Sequence, residues 1–180
     1  MQKLIFDTKG EKRMELIRGI HENEFGKMEG EVYFGYIKEY IGLSFKKNVP
    51  MEYVQRTVEK LNELDDKIIG KLCEYSMEFY KDKVESYPDI VEDIAIEEDK
   101  ILAPIDIMKY IEFGMLVVNL PEDLSDVGIN LEGGCEWDEN GIQWIVKGDD
   151  ILYVGPWCFQ NMWRADYEDG WNFAGVNEEC

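Results

Sequence analysis

His21 is the one histidine in this 180-residue chain, the side chain best suited to move protons near neutral pH. It stands in His21-Glu22-Asn23-Glu24, so Glu22 or Glu24 would be its partner if it acted as a general base. The pattern around it reads as a polar loop after a strand, and no second catalytic group is at hand. The four serines (Ser44, Ser76, Ser86, Ser125) fit no nucleophile-elbow spacing. No glycine loop runs into Lys-Ser or Lys-Thr to cradle a phosphate. Cys73, Cys135, Cys158 and Cys180 are too far apart for a Cys-x-x-Cys metal or redox pair, and Cys73 falls on an apolar helical position. Asp138-Glu139-Asn140-Gly141 and Asp166-Tyr167-Glu168-Asp169-Gly170 have the composition of calcium loops. They lack the alternating ligand spacing and the later glutamate, so they read as turns. The expectation is a protein without cofactor or metal, and not an enzyme.

Charge is the stronger signal. The chain carries 39 acids against 19 Lys and Arg, a formal charge of −20. The imbalance is concentrated after residue 121, where Lys147 and Arg164 are the only bases. All five tryptophans (Trp137, Trp144, Trp157, Trp163, Trp171) lie in the same stretch. Such a chain repels nucleic acid and anionic membrane. Carboxylates interleaved with Trp and Tyr instead suit a surface that grips a basic protein. The candidate partner-binding residues are Asp138, Glu139, Asp149, Asp150, Trp157, Trp163, Asp166, Glu168, Asp169 and Trp171. Trp157 and Trp163 have an alternative use, to pack back over an open sheet face or edge. Paired carboxylates beside tryptophan also suit glycoside chemistry, so a small hydrolase or carbohydrate-binding domain is the alternative.

These residues need a frame, and the pattern predicts a single α+β domain over 1–180. Residues 1–46 form a β region, with strands expected at 14–20, 31–37 and 40–45 and with Glu29-Gly30 as a breaker. Asn48-Val49-Pro50 signals a helix start. A long amphipathic helix follows through Met51, Val54, Val58, Leu61, Ile68, Leu72 and Val84, with Gly70 as a possible bend and Glu63–Lys67 as an i,i+4 pair. Residues 85–100 read as an acidic linker or short strand. A short helix opens at Pro104 and runs to about Glu112, which completes a helical region over 49–112. Residues 113–155 form an antiparallel meander, with hairpin turns expected at Asn140-Gly141 and at Lys147-Gly148-Asp149-Asp150. An aromatic, acidic segment, 156–180, closes the chain. No apolar run reaches the length of a membrane span and no signal peptide opens the sequence, so the expected location is the cytoplasm.

Residues 133–155 carry a resemblance. Cys135-Glu136-Trp137-Asp138-Glu139-Asn140-Gly141-Ile142, then Ile145-Val146, a glycine turn at Gly148 and Val154-Gly155, resemble a stretch of a bacterial family of small cytosolic proteins of unknown function. That family often has a histidine where this chain has Asn140, so no role of that histidine carries over. Some such acidic proteins are similar to immunity proteins of toxin systems. The resemblance supplies no catalytic residues. It implies a non-enzymatic binding protein that neutralises a bacterial toxin, a nuclease being the natural basic target for an acidic inhibitor.

Overall fold

The computed structural model describes residues 5–6, 12–13, 15–87, 96, 100–158, 161–164, 167 and 171–175. Two short strands, β1 (Ile5–Phe6) and β2 (Lys12–Arg13), pair antiparallel with each other. Seven further strands form one sheet in chain order: β3 (Ile17–Glu22), β4 (Lys27–Phe34), β5 (Glu39–Lys46), β6 (Ile111–Val118), β7 (Gly128–Cys135), β8 (Asp138–Lys147) and β9 (Asp150–Pro156). All neighbours are antiparallel except β5 and β6 at the centre. That parallel pair is imposed by the helical crossover between them, since parallel strands cannot be joined by a hairpin.

The crossover holds α1 (Met51–Asn62), α2 (Asp66–Ser86) and a 3-10 helix (Pro104–Tyr110). The expected single long helix is therefore two. Gly70 lies undisturbed within α2. The break falls at Asp65, whose carboxylate accepts the Ile68 backbone N–H at 2.8 Å and caps a new helix. Glu63 and Lys67 consequently stand on different sides of that break. Asn62, at the end of α1, ties it to the sheet: its amide accepts from Gly35 N at 2.7 Å and donates to Tyr33 O at 2.9 Å. Residues 35–38 form the β4–β5 turn, so the expected 31–37 strand ends at Phe34. Glu29-Gly30 lies inside β4 rather than breaking it; a Cβ on Gly30 would sit 2.9 Å from the Arg18 carbonyl, so glycine is there to let β3 approach. Most of the expected 85–100 linker lies outside the described residues.

Alternation along the strands sends Val32, Phe34, Leu43, Leu116, Leu131, Trp144 and Val154 to the face that meets Val54, Leu61, Leu72 and Phe79 of the helices. Trp144 is 1% exposed; its indole N–H donates to Ser76 Oγ at 3.0 Å, and that hydroxyl donates to Leu72 O. A second, smaller core lies on the other face, where Ile145 and Tyr153 are covered by Met162 with Cys158, Trp163 and Tyr167 around them. The C-terminal chain supplies this cover. It also seals β9: Phe173 N donates to Val154 O, and the Asn172 amide bonds Leu152 O and Val154 N. Among the described residues no helix is long and apolar enough to cross a membrane.

Candidate functional site at the β7–β8 hairpin

The segment Cys135–Gly141 forms the tip of the β7–β8 hairpin. Its turn is Glu136-Trp137, because Cys135 pairs with Asp138; Asn140-Gly141, the expected turn, is inside β8 at a bulge. Gly141 has φ 77°, and a Cβ there would lie 2.2 Å from the Gly133 carbonyl. Both conditions demand glycine. Gly141→Ala is expected to cost about 2 kcal/mol from backbone strain alone, read as a lower urea midpoint; an unchanged midpoint would mean that the bulge is not held in solution.

Trp137 drives the tip inward. It is 2% exposed and meets Phe79 and Tyr80 of α2 edge-on at 6.0 and 5.9 Å. Among the described residues its indole N–H finds no acceptor. Asp138 follows it into the interior. Its side chain is 2% exposed, pairs with Lys83 Nζ at 2.6 Å and accepts the Asn140 backbone N–H at 2.8 Å. Lys83 in turn stands between rings, 5.8 Å from Phe79, 5.3 Å from Tyr87 and 5.0 Å from Trp171. Tyr87 and Trp171 are nearly half exposed. A cleft of about 860 Å³ opens beside this cluster, with exposed Glu112, Glu136 and Glu139 on its rim and Tyr87 and Lys109 on its walls.

The expected acidic surface is thus rearranged. Asp138 is a buried structural carboxylate. Glu139 is exposed at the tip, while Asp149 lies in the β8–β9 turn and Asp150 opens β9, about 30 Å away along a ten-residue strand. Asp149 is bridged to Lys60 at 3.2 Å, and both aspartates share a hollow with Lys67 and Lys71. Trp163 is partly buried, its indole N–H donating to Asn119 O at 2.8 Å; Trp157 is half-buried on the outer sheet face. Trp171 is the exposed tryptophan of the set. Asp166, Glu168 and Asp169 lie outside the described residues. His21 is the penultimate residue of β3 rather than a loop residue, with Nδ1 3.0 Å from Gly19 O. Lys83 and Tyr87 were not legible as site residues, since only the fold brings the end of α2 against the hairpin. Among the described residues no group of three or more His, Cys, Asp or Glu side chains could hold a metal ion.

A family model matches residues 17–159. The chain belongs to the family described as Domain of unknown function (DUF6985). The DUF6985 match spans the whole seven-stranded sheet up to the start of its C-terminal cover, and includes the hairpin tip. No curated protein and no solved structure matches the chain.

Within the DUF6985 domain, Cys73, Cys135 and Cys158 are free. Burial pushes the thiols of Cys73 and Cys135 up to about 12 from 9.0. A raised thiol keeps its proton in the folded state, whereas the unfolded chain loses it from about pH 9 upward. Stability therefore falls as pH rises through the window from about 9 to about 12. At about pH 8 the buried Cys73 thiol is expected to resist alkylation in the native protein and to react fully in denaturant, as mass spectrometry of the labelled peptides would show. Fast native labelling of Cys73 would contradict its burial.

Proposed function

We propose that the protein is a non-enzymatic binding protein that neutralises a basic protein partner, in the manner of a toxin's immunity protein. One observation carries this reading. Two exposed aromatics, Tyr87 and Trp171, converge over Lys83 beside a cleft rimmed by Glu112, Glu136 and Glu139. Exposed aromatic anchors ringed by charge are the usual energetic centre of a protein interface. The net charge of −20 adds long-range attraction for a cationic partner. On this reading the interface lies at the hairpin end, with Glu139 and Trp171 from the expected set, and the Asp149–Asp150 end is peripheral. A nuclease toxin, basic because its substrate is polyanionic, is a fitting target, and the cytoplasm is the fitting place of action.

The test is capture of a partner at low salt with the full chain as bait. A stoichiometric basic protein, released by salt and toxic when expressed alone, supports the reading. A folded bait that captures nothing argues against it.

The same cleft gives one point to the carbohydrate reading, since carboxylates and an exposed tryptophan can flank a sugar. Trp137 is buried and Asp138 is locked to Lys83, which leaves Trp171 as the platform and Glu112, Glu136 and Glu139 as the acids. Saturable glycan binding that is lost in Trp171→Ala, with no protein captured, would favour it.

A further inference from the structure

On the outer face of the sheet, across the β7–β8 hairpin from the cleft, lies a second cavity of about 500 Å³. Trp157 and Met115 wall it, and Glu132 brings a half-buried carboxylate to it. The Trp157 indole lies close enough to that carboxylate to favour its charged form. An ionised carboxylate accepts at about four lone-pair positions, so one neutral donor leaves most of its capacity unused. Among the described residues no Lys or Arg closes an ion pair on Glu132. Burial pushes its proton affinity up, opposed in part by the Trp157 indole and then by the field of Lys27. Burial makes the charged form of this carboxylate costly, and a cation brought into the cavity would offset that cost.

The cavity exists because two strand residues have no side chain. A Cβ on Gly134 would meet nothing within 4 Å, and one on Gly114 would find only the Glu132 carbonyl at 3.6 Å. Neither residue has a left-handed φ. Other strand glycines here are explained by crowding: Gly42, Gly128, Gly133 and Gly155 would each place a Cβ within 3.0 Å of a neighbour. Gly114 and Gly134 are not, and a glycine inside a strand weakens it unless something must approach the backbone. Both line this cavity, with exposed Glu139 at its margin.

We propose that this cavity receives an arginine side chain of the partner protein. A guanidinium is planar and weakly hydrated, stacks on an indole and pairs with a carboxylate through two parallel N–H groups. Trp157 supplies the ring, Glu132 the carboxylate, and the bare backbone at Gly114 and Gly134 the room. The identity of the macromolecule rests on the preceding reading of a basic partner; the chemistry of the pocket does not.

The test is a titration of the ¹⁵N-labelled full chain with Nα-acetyl-arginine amide, and separately with the uncharged citrulline analogue. The arginine probe is expected to shift the Trp157 indole and Gly134 amide signals saturably, with the citrulline probe at least several-fold weaker. Glu132→Gln and Gly134→Leu are each expected to abolish the response while keeping the dispersed spectrum and a melting midpoint no lower than that of the parent chain. Equal response to both probes, no response, or full response in a folded Glu132→Gln variant would overturn the proposal. Partner capture without an arginine response would remove the pocket and leave the binding function. An arginine response without a basic partner would do the reverse.

Discussion

Replacing Trp137 by alanine is expected to remove about 4 kcal/mol of stability, a large part of what a domain of this size possesses. The ring is 2% exposed and touches Phe79 and Tyr80 of α2 on one side of the hairpin turn. Phe79 is itself stacked on Phe173 of the C-terminal cover at 5.2 Å. A cavity at Trp137 therefore loosens three separate stretches of chain. Trp137→Phe retains most of the packing and deletes an N–H that has no acceptor among the described residues, so it is expected to cost only about 1 kcal/mol. Urea denaturation of both variants checks this. A loss below about 1 kcal/mol for the alanine variant would mean that the tip is held by other contacts.

Removing Lys83 is expected to cost about 3 kcal/mol, because Asp138 would then be buried without its counter-ion. The side chains are 17% and 2% exposed, so water offers Asp138 little substitute. The cost belongs to the orphaned charge more than to the pair. Lys83→Met combined with Asp138→Asn is accordingly expected to recover at least half of the loss, with the Asn140 backbone N–H still able to find an acceptor at residue 138. A double variant whose loss equals the sum of the two single losses would show that the pair is not coupled. Tyr87 and Trp171 lose their central cation in the same variants, so partner capture by the folded double variant separates the cluster's binding role from its structural one.

Much of this architecture was legible in the sequence because it is governed by short-range patterning. The apolar spacing from Met51 to Val84 marked the helical face, and residues 40–45 and 142–154 marked the strands of the final meander and the β5 strand before the crossover. What escaped was decided by burial elsewhere. Asp65 reads as one more acid on a helix face until its role as a cap is seen. Asn140-Gly141 has the composition of a hairpin turn, yet burying Trp137 against α2 fixes the turn four residues earlier, and the Asn-Gly pair becomes a bulge. The parallel β5–β6 junction joins strands more than sixty residues apart and leaves no local mark. Of the candidate site, residue types were visible but grouping was not: a run of acids does not reveal that Asp138 turns inward while Glu139, its neighbour, stays in water.

The cover over the outer face has a consequence for the order of events during synthesis. Cys158, Met162, Trp163, Tyr167, Asn172 and Phe173 leave the ribosome after the whole sheet they protect. Until they arrive, β9 presents an unpaired rim, and Ile145 and Tyr153 face water on a surface that the finished chain hides. The nascent sheet is thus in the state most prone to recruit a neighbouring strand just before its own last segment closes over it. Folding yield should therefore depend on Met162, Asn172 and Phe173 more steeply than their share of the finished packing would suggest.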